Sequence, residues 1–201
     1  MLVPYFRLFK NLDPFSFQHQ ILYLANKLGD PLDPIPKEAR LSSPEKLFPL
    51  PKLSAQKPLI PLQIEMGSQG IKPSYLLIYN SSFHVLRVHL GIMDHILNGM
   101  SRSCKNILRE PSFKMFPTVE SQPLGWHPLL TEEGLLLRSN CNVEFMENKH
   151  QLAYVKLLQT CDQNKWILFL HPGNLLIINN YRVLHEPMEK KSKELYRLYV
   201  Y

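Results

Sequence analysis

The stretch "WILFLHPGNLLIINNYRVLHE", residues 166–186, constrains the fold more than any other in the chain. Two apolar runs rich in Ile, Leu and Phe flank a Pro172-Gly173 pair, and the second passes through a polar kink before a lone histidine, His185. Each run is shorter than the ~10–12 residues of an ordinary helix and is bounded by turn-forming residues, so each is expected to be a buried strand. The stretch is therefore read as two strands joined by Pro172-Gly173, and the chain must supply other sheet elements to bury them. A histidine placed just after a buried run is ordinarily a satisfied structural residue, so His185 acquires meaning only from its surroundings.

Further strands are expected over 74–80 ("SYLLIYN"), 112–117, 134–146 and 194–200 ("ELYRLYV" and its flanks). Within 134–146, "GLLLRSN" and "NVEFME" read as a strand pair turning around Ser139 to Asn142. Three stretches carry helical spacing instead. Residues 17–28 bring Phe17, Ile21, Leu24, Ala25 and Leu28 to one face, with Ser16 as the expected cap and Gly29 as the stop. Residues 91–99 and 150–160 supply the other two helices. From 30 to 61 eight prolines remove backbone donors and fix φ, which disfavours long elements there. That segment is expected to be a wrapping loop region. This order predicts a mainly β chain with flanking helices, a β-sandwich or jelly roll.

Composition narrows the function classes. A chain of 201 residues that is 45% hydrophobic and 20% charged is long and apolar enough for one folded unit. Its net charge of +6 is scattered except at Lys190, Lys191 and Lys193, which argues against a nucleic-acid surface. Cys104, Cys141 and Cys161 lie far apart, with neither disulfide nor zinc-site spacing. The opening "MLVPYFRLFKNLDPF" lacks the features of a secretory leader, and no apolar run reaches the ~18 residues of a bilayer span. The expectation is a cytoplasmic protein that uses neither membrane nor nucleic acid. No G-x-S-x-G is present to suggest a hydrolase.

The segment "PGNLLIINNYRVLHEP" resembles the C-terminal motif of the clavaminate synthase-like and taurine dioxygenase-like iron(II), 2-oxoglutarate-dependent oxygenases. In that family a proline-glycine turn, an apolar strand and an Asn-x-Arg lead into an iron-ligating histidine, the position taken here by His185. "ILREPSFKMFP" at 107–117 is similar to the Leu-x-x-Pro-x-Phe strand of the asparagine and arginine oxygenases. "LLLRSN" around Arg138 and "ELYRLYV" at 194–200 extend the likeness over most of residues 62–200.

The resemblance implies a double-stranded β-helix, with 1–61 as a helix and proline-rich covering segment and 62–201 as the core. It also implies a metal set. The family's His-x-Asp/Glu pair, followed by Pro-x-Tyr, falls on "LQIEMGSQGIKPSYLLIYN": Glu65 takes the carboxylate, Pro73 and Tyr75 the Pro-x-Tyr, and Gln63 stands where the family has histidine. Two imidazoles and one carboxylate suit iron(II) and leave positions open for 2-oxoglutarate and O₂. An amide oxygen is a weaker donor than imidazole, so a site of Gln63, Glu65 and His185 is expected to hold iron more loosely.

Of the two arginines on the family's closing strand, Arg197 corresponds to the second and Lys193 replaces the first. Either would neutralise a carboxylate of 2-oxoglutarate, although lysine lacks the two-pronged geometry. At the family's cosubstrate-binding threonine this chain offers Arg87 or Val88. His84 and His89, on the same alternating stretch, read as half-exposed strand residues. Two functions follow: an iron(II)/2-oxoglutarate oxygenase hydroxylating a small amino-acid-like substrate, or a degenerate, non-catalytic form of that fold kept as a binding or interaction module.

Overall fold

The computed structural model describes residues 3–29, 73–117, 125–137, 141–186 and 195–201. Two antiparallel sheets form the core, and the remaining described strands lie in two further two-stranded sheets. β2 (Tyr75–Asn80), β9 (Leu175–Asn179) and β11 (Leu195–Val200) lie in a four-stranded sheet with β1 (Phe6–Phe9), in the order β1-β9-β2-β11. The second sheet has the order β10-β3-β8, from β3 (Leu86–Ile92), β8 (Lys165–Leu170) and β10 (Val183–His185). Successive strands alternate between sheets: β2 lies in the first, β3 and β8 in the second, β9 in the first, β10 in the second and β11 in the first. This alternation defines a double-stranded β-helix, the jelly roll expected from the sequence.

Strand alternation assigns each side chain a layer, because successive residues point to opposite faces. Leu76, Ile78, Leu176 and Ile178 meet Val88, Leu90, Leu170 and Val183 between the sheets. Their neighbours Leu77, Tyr79, Leu175 and Ile177 face the other way and pack with Ile21 and Ala25 of α1 (Phe17–Leu28). Packed on both faces, β2 and β9 are apolar or aromatic up to the asparagine that ends each, which is why their sequences show no alternation. A third cluster packs α2 (Met93–Asn98), α3 (Arg102–Leu108) and α4 (Asn148–Gln163) around Phe113 and Met115, and takes in Leu184 from β10.

The corners where the chain changes sheets are pinned by buried asparagines. Asn80, fully buried at the end of β2, donates through Nδ2 to Leu170 O at 2.9 Å and to His84 O at 2.8 Å. Its Oδ1 accepts from Ser82 N at 3.0 Å, and its backbone bonds Gly173 and Asn174. Asn180, also fully buried, donates through Nδ2 to Pro73 O at 2.9 Å.

Several sequence expectations change. The 166–185 stretch forms three strands, and Pro172-Gly173 does not close a hairpin: β8 pairs with β3 and β9 with β1 and β2, so the turn carries the chain across the core. The expected strand pair within 134–146 separates. β6 (Gly134–Leu135) pairs with β5 (Leu130–Thr131), whereas β7 (Cys141–Phe145) pairs with β4 (Phe113–Pro117). Gly134 sits at φ +114, a tight turn that directs the chain back onto 130–131. Gly91 and Ile92, assigned to a helix from sequence, finish β3, and that helix begins at Met93. Ser16 does not cap α1 through its side chain; its hydroxyl donates to Asp13 at 2.6 Å and accepts from Gln20 at 2.7 Å. The proline-rich segment lies outside the described residues. Among the described residues no helix is long and apolar enough to cross a membrane.

Candidate functional site

His185 is the last residue of β10, opposite Leu90 of β3. Val183 points between the sheets and Leu184 away from them, so His185 returns to the inner face, where it is fully buried. Its Nδ1 lies 2.9 Å from the carbonyl oxygen of Glu186. A carbonyl can only accept, so Nδ1 carries the hydrogen and, in the neutral ring, Nε2 carries the lone pair. This is the arrangement a metal-ligating imidazole needs: one nitrogen anchored to the backbone and the other inward.

Arg197 approaches the same interior from the facing sheet. On β11 it lies between Leu195 and Tyr199, which pack between the sheets, while Leu198 and Val200 pack against α1. Its strand partner is Ile78 on the same inner row, and Nη1 donates to Tyr199 Oη at 3.3 Å. The sheets thus bring His185 and Arg197 to one interior, an imidazole on one side and a guanidinium on the other. Gln63, Glu65 and Lys193 lie outside the described residues, as does Arg138. Among the described residues no group of three His, Cys, Asp or Glu side chains gathers that could hold a metal ion.

The two residues offered at the threonine position separate by strand parity. Val88 is on the inner row and Arg87 is exposed on the outer face, so Arg87 does not enter the interior. His84 is exposed. His89, expected to be half-exposed, is buried at 6% exposure, and it faces away from the interior. Its Nε2 accepts from Arg87 Nε at 3.0 Å, and its Nδ1 contacts the Glu186 carboxylate. Sequence reasoning missed this outer-face group. The local signal was the Arg-x-His spacing of residues 87 and 89, which puts both side chains on one face.

A second histidine cluster has a structural task. His150, buried at the start of α4, accepts from Glu147 N at 3.1 Å through Nδ1, and its Nε2 lies 2.8 Å from the Glu110 carboxylate. The hydrogen bond from His150, then that from Lys149, holds the Glu110 carboxyl below its ordinary value. Burial pushes the Cys161 thiol up to about 12, which makes it a poor nucleophile and metal ligand.

No family model matches the sequence, and no curated protein matches it. Solved structures do match. The non-heme iron oxygenase OrfP, in complex with Fe and L-homoarginine, superposes with a TM-score of 0.63 at 17% identity, covering 94% of this chain and 67% of that one. An asparagine oxygenase in complex with Fe(II), 2S,3S-3-hydroxyasparagine and succinate superposes at 0.52 with 17% identity, covering 70% of this chain and 48% of that one. The chain thus spans about half the length of the asparagine oxygenase, whose covered share is 48%. The class defined here is a jelly roll with an inward histidine at the end of one strand and an inward arginine on the facing sheet. Its fold is that of the non-heme iron oxygenases.

Proposed function

We propose that this chain is an iron(II)- and 2-oxoglutarate-binding oxygenase that acts on a small amino-acid-like substrate. His185 and Glu65 hold the metal, with Gln63 or water at the third protein position. The carboxylate of 2-oxoglutarate is neutralised by Arg197 or Lys193. The observation that carries this reading is the inward placement of both His185 and Arg197 on facing sheets, with His185 Nδ1 already engaged by the Glu186 carbonyl. When bound, the metal supplies O₂ activation coupled to loss of CO₂ from 2-oxoglutarate. The chain's own residues provide the rest. Arg197 orients an anionic cosubstrate, Tyr199 steadies its guanidinium, and the apolar rows of both sheets exclude water from the interior. The solved neighbours carry iron with amino acids or their hydroxylated products, which suits a substrate of that kind.

Gln63, at the position of a family histidine, favours a second reading, a binding module that has lost catalysis. One titration separates the two. Anaerobic iron(II) with 2-oxoglutarate should give a weak visible charge-transfer band that His185→Ala abolishes. Gln63→His should tighten iron binding whichever reading holds, because it adds an imidazole to the ligand set. If iron binds the Gln63→His variant no better than the parent, Gln63 does not stand at the metal. Absence of the band in the parent, together with its appearance in Gln63→His, selects the non-catalytic reading.

A further inference from the structure

Glu186, the residue after His185, is held at three points. Its N–H donates to His89 O at 3.0 Å, its carbonyl accepts from His185 Nδ1 at 2.9 Å, and its carboxylate is bonded by His89 Nδ1. His89 Nε2 accepts from Arg87 Nε at 3.0 Å, so in the neutral ring the hydrogen lies on Nδ1 and points at Glu186. The hydrogen bonds therefore run in one direction, from guanidinium to imidazole to carboxylate. The same carboxylate belongs to the peptide whose carbonyl sets the tautomer of His185. β10 has only three residues, and His185 is its last. A strand end this short would fray unless the residue beyond it were tied down. The His89 and Glu186 side chains are only 8% and 18% exposed. Burying polar groups here costs free energy that an apolar pair would avoid, and what the polar pair adds is a directed hold on the residue after His185.

We propose that Arg87, His89 and Glu186 act as positioning residues that hold His185 in its Nδ1–H tautomer with Nε2 turned to the interior. This deepens the metal-site reading above and rests on it for its use, but the positioning itself exists in the metal-free protein and is measured there. Arg87 fixes the His89 tautomer, His89 orients the Glu186 side chain, and Glu186 presents its carbonyl to His185. None of the three side chains enters the interior.

The test uses the full chain labelled with ¹⁵N-histidine, metal-free, with long-range ¹⁵N–¹H correlation spectra to read each ring's tautomer. The parent should show His185 as one Nδ1–H tautomer. Glu186→Ala and His89→Phe should shift it toward the Nε2–H form that imidazole prefers in water, whereas Glu186→Gln, which can still accept from His89, should stay close to the parent. Arg87→Met, a change at an exposed side chain, serves if the inner variants fail to fold. It should release the His89 tautomer and broaden that of His185. A second arm titrates the same proteins with Co(II), where Glu186→Ala should bind roughly 10- to 100-fold more weakly. Retention of a single Nδ1–H tautomer by His185 in folded Glu186→Ala and in Arg87→Met would overturn the proposal, even if the parent binds metal well. Tautomer loss in the variants of a parent that binds no Co(II) upholds the positioning and removes the metal reading alone.

Discussion

Asn80→Ala should be among the most destabilising polar substitutions in the chain, through hydrogen bonding rather than packing. The fully buried amide makes bonds at 2.9 Å to Leu170 O, 2.8 Å to His84 O and 3.0 Å from Ser82 N, and at 2.6 Å it accepts from the Ser82 hydroxyl. The hydroxyl keeps an alternative in His84 O at 3.0 Å. Leu170 O and Ser82 N, whose bonds to Asn80 are buried, lose this partner outright. At ~1–3 kcal/mol for each such group, the loss is about 2–6 kcal/mol in total. That is a large part of the ~5–15 kcal/mol that holds an ordinary domain folded. The control is Asn80→Asp, which has the same shape. It still accepts from Ser82 but turns an anionic oxygen toward the two carbonyls, so at neutral pH it should cost at least as much as alanine. Its deficit should shrink in acid, where a protonated carboxyl can again donate. Urea unfolding followed by circular dichroism, with the m-value unchanged, measures both variants. If Asn80→Asp unfolds within about 1 kcal/mol of the parent at pH 7, the corner is held by packing and the hydrogen-bond account is wrong.

Other outcomes follow from local chemistry. Because the folded Glu110 carboxyl titrates below its ordinary 4.5, its bonds to His150 and Lys149 stabilise the fold above that pH, and the benefit disappears as pH falls through the lowered value. Glu110→Gln should therefore be less stable than the parent near neutrality and converge with it in acid, as read from urea midpoints against pH. Burial raises both described thiols, Cys161 to about 12 and Cys104 less strongly, so a disulfide reagent at pH 8 with peptide mapping should modify Cys104 slowly and Cys161 only on unfolding. Gly134→Ala should cost more than ~1 kcal/mol, since φ is +114 and the new Cβ would lie 2.6 Å from Met93 Sδ. A thermal midpoint equal to that of the parent would contradict this.

The parts of the fold legible in the sequence are those where a single period runs unbroken. α1 and α4 repeat apolar residues at helical spacing, β2 and β9 are apolar or aromatic runs up to a closing asparagine, and β11 is apolar and aromatic apart from Arg197. β1 has no fully buried residue, and β3 begins with Leu86 and Arg87 partly or fully exposed, so neither stands out from loop composition. Within α3 only Leu108 is buried, which leaves no stripe to detect. The Pro172-Gly173 turn was visible but not its meaning, because a two-residue turn has the same chemistry whether it closes a hairpin or crosses a core. Only the register distinguishes them.

The same limit applies to the candidate site. The inward sides of His185 and Arg197 follow from parity once the strand bounds are known, since each sits two residues from an apolar neighbour that packs between the sheets. The grip on Glu186 could not be read this way. It requires knowing that β10 runs antiparallel to β3 with His185 opposite Leu90. Each step forward along β10 is then a step back along β3, so the residue after His185 falls opposite His89, and its N–H meets the His89 carbonyl at 3.0 Å. Strand alternation turns the His89 and Glu186 side chains to the outer face, the side opposite His185. A polar pair behind His185 is thus a consequence of register, and its chemistry becomes visible only when residues 97 positions apart are set side by side.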